Sequence, residues 1–328
     1  MISVAKLRRK PRHFQAFTGV SVAEFDQILA QVEPAYEADQ QRRRNRQDKQ
    51  RPLGVGHPFT LGVPERLLMG LMYLRLYIGQ NLLSYLFDLD QSNVSRELHD
   101  RLLPILLEIL PVPLRDAPLR HLAADKADAP DAEKPATGPK RRRINTLKEL
   151  FEAYPEIKEA LIDATEQSIP QPEDKAKRKL HYSGKQQDHT VKTQIVATRK
   201  QILHVFGGLP GCVHDQMLLG ASGVMIAIPP GVKIRLDKGY PGTDKRHPDR
   251  DVMQPIKGQR NRKVTVLGRA YNYFLSTQRI YVEHHFARLK KFGILGMLYR
   301  GRLEDHEDIF CIVSGLLNYR ATGQFSLA

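Results

Sequence analysis

Three acidic residues in the second half of the chain lie where a carboxylate could do chemistry. Asp163 lies in an apolar, strand-like run, and Asp237 lies where another such run gives way to a glycine-containing turn. Glu283 lies in the amphipathic segment "VEHHFARLKKFGIL". Acids at strand ends lie where an α/β sheet presents ligands. Because a lone aspartate more often caps a turn, neither aspartate identifies a site by itself.

The segment around Glu283 also carries cations. Arg279, Glu283 and Lys290 are separated by four and seven positions, and at about 100° per residue they fall within one stripe of a helix. Such a face would let a carboxylate reach a metal ion while its basic neighbours hold phosphate oxygens. An exposed ladder of salt bridges is the alternative, and the helix alone does not decide between them.

The charge balance favours a polyanionic partner. The 328 residues include 51 Lys and Arg against 36 Asp and Glu, which gives a net charge of +15 and a pI near 9.8. This surplus favours nucleic acid over a membrane surface. Two cysteines are too few for a disulfide framework or a zinc cluster. With no secretory signal and no long apolar run, we expect a soluble, cytoplasmic, nucleoid-associated protein and no membrane contact.

Helical patterns dominate the first 110 residues. Ser21 and Glu24 form a capping-box pattern that predicts a helix over 20–37. The basic run at 41–51 is expected to be a solvated loop, with phosphate contact as the alternative. These segments make up a basic N-terminal helical region, residues 1–58.

Residues 59–110 have the outline of a helix-turn-helix DNA-binding domain: a helix starting near Pro64, a short helix, the break "DLDQ" and another helix. Ser92 is predicted to cap the last of these. Its predicted inward residues are Val94, Leu98 and Leu102, and its predicted outward residues are Gln91, Asn93, Ser95 and Arg96. Amides and guanidinium groups read base edges in the major groove. An ordinary helical hairpin with a polar outer face fits equally well.

A change of composition follows. Residues 111–145 are rich in Pro, Ala and charge, and are expected to form a flexible linker. A helix capped at Asn145 or Thr146 then opens a second domain, residues 146–328. Four strand-like runs, a helix between the third and fourth, and a long helix from about 266 to 292 predict an α/β domain with a mixed sheet. The strand-like runs are 160–169, 189–198, 201–211 and 232–240.

The three acids and their neighbours resemble the acidic motifs of DDE transposases of bacterial insertion sequences, in the group numbered five and its helix-turn-helix-bearing relatives. The matching motifs are "IDATEQSIPQP", "LDKGYPG" and "VEHHFARLKKFGIL", and their acids are separated by 74 and 46 positions. "RLLMGLMYLRLY" and "LDQSNVSR" resemble that group's helix-turn-helix. The resemblance covers most of the chain except the segment from about 115 to 139.

The resemblance implies a ribonuclease H-like catalytic domain. Asp163 on its first strand, Asp237 at its fourth and Glu283 on a following helix would be the catalytic residues and metal ligands. The group carries a Tyr-x2-Arg-x3-Glu-x6-Lys signature, which Arg279, Glu283 and Lys290 match. Ser276 occupies the tyrosine position. This chain therefore departs from the group in whatever the tyrosine contributes, whereas the residues of the metal site are all present.

This set of carboxylates suits phosphodiester chemistry. Two Mg²⁺ ions about 3.5 to 4 Å apart activate a water or hydroxyl and relieve charge at the leaving oxygen. Because Mg²⁺ prefers hard oxygen ligands and takes few from protein, we expect Asp163 to bridge two ions and Asp237 and Glu283 to hold one each. Mn²⁺ is expected to substitute. One site would then cut at transposon ends and join the freed 3′-hydroxyl to target DNA.

Basic residues close in sequence to the acids are expected to form a phosphate-binding rim. The expected DNA contacts are Lys185, Lys238, Arg279 and Lys290, beside the basic runs at 175–179 and 257–263; a solvated charged face is the alternative for each run. Double-stranded DNA, as terminal inverted repeats and target, is the expected partner, and joining two ends implies a homo-oligomer.

Two other functions also fit the sequence. A DNA-binding protein without catalysis, derived from a transposase, and another nuclease of the same fold both fit the chain. His284 and His285 are predicted to lie on the helix surface. Asp215, in "VHDQ", resembles part of a His-Asp pair of the group, and is predicted to be a helix N-cap.

Overall fold

The computed structural model describes residues 2–44, 61–115, 144–258, 263–325 and 327. The chain divides into two compact units. We call the first the helical unit, and it comprises Met1–Val112, Gln167–Glu173 and His284–Leu327. We call the second the sheet unit, and it comprises Pro113–Glu166 and Asp174–Glu283. Most of the predicted linker, together with Arg260 and Arg262, lies outside the described residues.

The helical unit is built from short and medium helices. They are α1 (Val4–Arg8), α2 (Pro11–Thr18), α3 (Val22–Arg44), α4 (Val63–Leu76), α5 (Gln80–Phe87), α6 (Gln91–Glu97), a π-helical turn (Leu98–Leu102), α7 (Leu103–Ile109), α14 (Gly293–Gly296), a 3-10 turn (Leu303–Asp305) and α15 (His306–Thr322). Among the described residues, no helix is long and apolar enough to cross a bilayer.

The capping box predicted for α3 is present. The backbone N–H of Ser21 donates to Oε2 of Glu24 at 2.6 Å, and the N–H of Glu24 donates to Oγ of Ser21 at 3.2 Å. The helix then continues to Arg44, so the prediction of a loop from residue 41 is wrong for its first part. Glu, Ala, Gln and Arg all favour helix there, and Arg43 donates to Asp39 one turn earlier at 2.6 Å. Residues 45–60 lie outside the described part of the chain.

Helix α4 forms the centre of the helical core. Pro64 lies in its first turn, as predicted, where its missing N–H costs nothing. The predicted apolar positions are all buried: Leu67, Leu68, Leu71, Met72 and Leu74.

Helices α5 and α6 form the expected helix-turn-helix, joined at Asp88–Asp90. Asp88 ends α5 in the left-handed conformation, with φ of 55°. The N-cap of α6 is Asp90, so the prediction of Ser92 is wrong. The carbonyl of Asp90 accepts from the N–H groups of Asn93 and Val94, so the helix starts two residues earlier than the hydroxyl pattern indicated. Val94 and two further predicted inward residues, Leu98 and Leu102, are fully buried.

The sheet unit contains six strands and six helices among its described residues. The strands are β1 (Glu159–Ser168), β2 (Tyr182–Ser183), β3 (Asp188–Ala197), β4 (Ile202–Pro210), β5 (Lys233–Arg235) and β6 (Asp251–Met253). The helices are α8 (Leu147–Ala153), α9 (Lys175–His181), α10 (Asp215–Ala221), α11 (Val224–Ala227), α12 (Thr243–Arg246) and α13 (Val266–Leu289). Thr146 caps α8, as predicted, by accepting from the N–H of Glu149.

The sheet is mixed, which confirms the predicted α/β fold class. Strand β3 pairs antiparallel with β2 and β4, β1 lies between β3 and β5, and β5 is parallel to both β1 and β6. This is the mixed sheet with flanking helices expected for a ribonuclease H-like fold. Leu114, inside the predicted linker, forms a parallel bridge with His204 of β4.

Candidate active site

The pairing of β1 with β5 brings two of the predicted acids together. Leu161 is opposite Arg235 in the parallel register, and Asp163 and Asp237 each follow two residues later. Because side chains alternate along extended chains, the two carboxylates project from the same face at equivalent positions. Asp163 lies inside β1, which continues to Ser168, whereas Asp237 follows the end of β5.

Helix α13 supplies the third acid and a cation that lies near all three. Nη1 of Arg279 lies 2.8 Å from Oδ1 of Asp237, and Nη2 lies 3.8 Å from Oδ2 of Asp163. Nη2 also lies 3.9 Å from Oε1 of Glu283, one turn along the same helix. The three acids therefore converge on one guanidinium, and the side chain of Arg279 is only 18% exposed.

The acids differ in environment. The side chains of Asp163, Asp237 and Glu283 are 18%, 34% and 62% exposed. Burial raises the pKa of the Asp163 carboxyl to about 6, while the N–H of Ala164 at 2.8 Å and the charge of Arg279 oppose that rise. Asp163 is therefore the carboxylate of this group that most needs a nearby cation to stay ionised at neutral pH.

The donor set suits a hard divalent cation because it consists only of carboxylate oxygens. Across the part of the chain that the structure describes, no group of three His, Cys, Asp or Glu side chains is arranged closely enough to hold a metal ion. The positive charge among the acids comes from Arg279. The side chains thus fit a Mg²⁺ site in chemistry, with a guanidinium as their present counter-ion.

A buried ion-pair network lies beside this group. Nζ of Lys192, on β3, lies 2.9 Å from Oδ1 of Asp215 and 3.3 Å from Oε1 of Glu166, and donates to the carbonyl of Val213 at 2.8 Å. Although burial alone would raise the pKa of Glu166, hydrogen bonds from Ser183 and Thr190 and the charge of Lys192 lower it overall. The network fixes Asp215 firmly.

Asp215 closely approaches the loop that carries Asp237. A Cβ on Gly239 would lie 2.9 Å from Oδ2 of Asp215, so that loop has room only for glycine at this point. The charge of Asp215 also helps to raise the pKa of Asp163. The N-cap of α10 is His214, whose Nδ1 accepts from Gln216, so the prediction of Asp215 as the cap is wrong.

Tyr240 is a further member of this region that sequence reasoning missed. Its side chain is fully buried, and its hydroxyl has no hydrogen-bond partner among the described residues. Burial, reinforced by Asp163, Asp215 and Asp237, raises the pKa of Tyr240 well above its usual range. Lys192 was missed as well, although one lysine inside the apolar run of β3 was a visible signal.

The predicted DNA-reading residues lie on one short helix. Gln91, Asn93 and Arg96 of α6 are exposed, and Ser95 is partly buried. Arg96 donates to Oδ1 of Asn93 at 2.9 Å and to the carbonyl of Ser92 at 3.2 Å.

The predicted phosphate contacts are spread along the chain. Lys185 and Lys238 are exposed in the sheet unit, and Lys290 is exposed directly after the end of α13. The helix therefore ends three residues before the predicted limit near 292. His284 is exposed, as predicted, whereas His285 is buried, so the surface prediction is wrong for His285.

Comparisons with known proteins agree with this arrangement. Residues 162–318 match the family described as DDE superfamily endonuclease, and residues 60–107 match the helix-turn-helix of DDE superfamily endonuclease. A probable transposase for insertion sequence element IS702 from Microchaete diplosiphon is 36% identical over 174 residues, which is 52% of this chain. The matched segment spans 60% of that relative's length. Both segments of the chain are thus similar to the DDE superfamily of endonucleases, with the helix-turn-helix segment ahead of the endonuclease segment.

Proposed function

We propose that this protein is a DNA transposase that hydrolyses phosphodiesters at the ends of its element and transfers the freed 3′-hydroxyl to target DNA. The observation that carries the proposal is the convergence of Asp163, Asp237 and Glu283 on Arg279. Two similarities support it: residues 162–318 match the DDE superfamily of endonucleases, and the relative from Microchaete diplosiphon is named a probable transposase.

In this proposal, the three carboxylates would hold two divalent ions, Mg²⁺ with Mn²⁺ as a substitute. Asp163 would be shared between the ions, and Asp237 and Glu283 would each hold one of them. When bound, the ions supply an activated water or hydroxyl and neutralise charge at the leaving oxygen. Arg279 balances the charge of the acids, and its guanidinium would also donate to a phosphate oxygen of the DNA.

The helix-turn-helix selects the DNA. Residues 59–110 form the DNA-binding domain, in which Gln91, Asn93, Ser95 and Arg96 read base edges from the start of α6. The hydrogen bond between Arg96 and Asn93 supports this role, because it holds two base-reading groups in fixed relation. Lys185, Lys238 and Lys290 contact DNA phosphates, and these contacts contribute to binding whatever the base sequence is.

The domain division follows from these roles. Residues 1–58 form a basic accessory region, residues 111–145 form a linker, and residues 146–328 form the catalytic domain. The last part of this domain, His284–Leu327, lies within the compact helical unit. Because transposition joins two ends, the active complex contains at least two copies of the chain.

The test is nicking of supercoiled plasmid that carries the DNA flanking the gene, in Mg²⁺ or Mn²⁺. Wild type is compared with Asp237→Asn and Glu283→Ala, and with Glu156→Ala as a control at an exposed acid outside the site. Wild type and the control should cut, whereas the two site variants should bind DNA without cutting. Metal-dependent cleavage by either site variant would remove that acid from the site.

Two alternatives predict different results, the first in the same experiment and the second with RNA–DNA hybrids as substrate. If wild type binds the DNA and does not cut it with either metal, the protein is a DNA-binding derivative of a transposase. Cleavage of RNA–DNA hybrids in preference to duplex DNA would instead identify another nuclease of this fold.

A further inference from the structure

A groove in the helical unit is lined by several cations. Its volume is about 660 Å³, and it is open rather than enclosed. Among the described residues that line it there is no acid, and its cations are Arg12, Arg75, Arg288, Lys291 and Arg320. We call this the basic groove.

Arg75 is the most firmly held of these cations. Its guanidinium carbon lies 5.3 Å from the ring centroid of Phe292, and the group donates to two backbone carbonyls, those of Ala16 and Lys291. Within the described part of the chain no carboxylate pairs with it. Burial and the charge of Arg320 lower the pKa of Arg75, so the positive charge of Arg320 acts on that of Arg75.

Three of the other four cations that line the groove have no acid paired with them among the described residues. Arg320 is paired with Glu24, at 2.8 Å and 3.1 Å, and donates to the carbonyl of Gly19. Arg12, Arg288 and Lys291 are exposed, with no ion pair among the described residues. Solvated protein surfaces usually intersperse charges of both signs. A concave surface with a surplus of cations concentrates the positive potential and attracts anions.

We propose that the basic groove binds the phosphate backbone of double-stranded DNA, as a second binding surface beside the helix-turn-helix. Arginine forks match pairs of phosphate oxygens, and an open groove admits a polymer that continues past it. The net charge of +15 agrees with a polyanion as partner. The inference rests on the proposed function only in that both require DNA binding.

Binding at the groove has a measurable signature, because phosphate contacts release counterions and carry no sequence information. Binding is measured by fluorescence anisotropy with a duplex from the element's end and a scrambled duplex, over a series of salt concentrations. The variants are Arg288→Ala and the double variant Arg288→Ala/Lys291→Ala. Arg75 is left intact because it packs on Phe292.

The expected result is weaker binding of both duplexes by the same factor, roughly 10-fold for the double variant at moderate salt. The slope of log K against log salt is negative, and its magnitude should decrease by about 0.9 for each phosphate that the variant no longer neutralises. The ratio between the specific and the scrambled duplex should not change. Arg9→Ala is the matched control, because Arg9 is exposed in the same unit and does not line the groove; it should leave the slope unchanged.

An unchanged slope in the double variant, with wild-type circular dichroism, would overturn the inference. So would a change in the specificity ratio, which would make the groove a base-reading surface. If the double variant loses binding of inorganic phosphate and keeps wild-type DNA binding, the groove is a small-anion site and the inference fails. Cleavage by wild type is scored separately, so the inference can fail while the proposed function stands. Absence of any DNA binding by wild type would overturn both.

Discussion

Nη1 of Arg279 lies 2.8 Å from Oδ1 of Asp237, and the same guanidinium has oxygens of Asp163 and Glu283 within 4 Å. One positive charge therefore balances three acids that would otherwise repel one another. A divalent ion and this guanidinium would be drawn to the same oxygens, so the two cations compete for them.

We therefore predict opposite effects of Arg279→Gln on metal binding and on cleavage. Without the guanidinium, the acids should bind Mn²⁺ more tightly in the absence of DNA, by about 10-fold, or about 1.4 kcal/mol. Cleavage should decrease, because the residue proposed to hold a phosphate oxygen is missing. Isothermal titration calorimetry with Mn²⁺ and plasmid nicking measure the two effects.

Arg269→Gln is the matched control, since Arg269 is exposed on the same helix. It should bind Mn²⁺ as wild type does. Weaker Mn²⁺ binding by Arg279→Gln than by the control would show that Arg279 supports the ion site instead of competing for it.

A second prediction concerns sequence reading by the helix-turn-helix. If Arg96 reads a base, Arg96→Ala should weaken binding to the element's end by about 1 to 3 kcal/mol and relax the preference at one base position. Binding to single-base variants of the end, measured by anisotropy, tests this. An unchanged affinity and preference would mean that α6 is an ordinary surface helix.

The helices and the candidate acids were largely predictable from the sequence. Helical periodicity located the core of α4, and the pattern of Ser21 with Glu24 located the start of α3, because both depend on residues within one or two turns. The N-cap of α6 was missed for a related reason. Several residues near position 90 can cap a helix, and only the backbone conformation of Asp90 decides among them.

Long-range contacts were not predictable from the sequence. Lys192 of β3 pairs with Glu166 of β1 and with Asp215 of α10, and no local pattern connects these three residues. The approach of Arg279 to Asp163 likewise depends on how α13 lies over β1. The sequence placed Arg279 one turn from Glu283, but it did not indicate that the same guanidinium lies within 4 Å of Asp163 and Asp237.

The Lys192 network leads to a prediction about stability. Lys192→Met should destabilise the sheet unit by about 3 to 5 kcal/mol, because Glu166 and Asp215 would lose their buried counter-ion. Thermal unfolding followed by circular dichroism measures the loss. Lys200→Met, at an exposed lysine three residues after the end of β3, is the control and should change stability little. Equal melting temperatures for the two variants would contradict a structural role for this ion pair.

A second stability prediction concerns His306 of the helical unit, which is buried and hydrogen-bonded. Nε2 of Gln167 donates to the carbonyls of Ile294 and Met297 at 2.7 Å and 2.8 Å, so its Oε1 must accept from Nε2–H of His306 at 2.8 Å. Nδ1 of His306 has no partner among the described residues. Burial lowers the pKa of His306 to about 4, and the folded protein therefore holds the ring neutral.

Stability should consequently fall as the pH is lowered from about 6.5 to 4, since the unfolded chain takes up a proton that the folded chain does not. The sign follows from the lowered pKa: the contribution is complete above pH 6.5, and about 3 kcal/mol of it is lost by pH 4. His306→Gln keeps a donor for Gln167 and cannot titrate, so its free energy of unfolding in urea should depend less steeply on pH. His13→Gln, at an exposed histidine, should retain the wild-type slope, and a His306→Gln profile parallel to that of His13→Gln would show that His306 is protonated in the folded state as well.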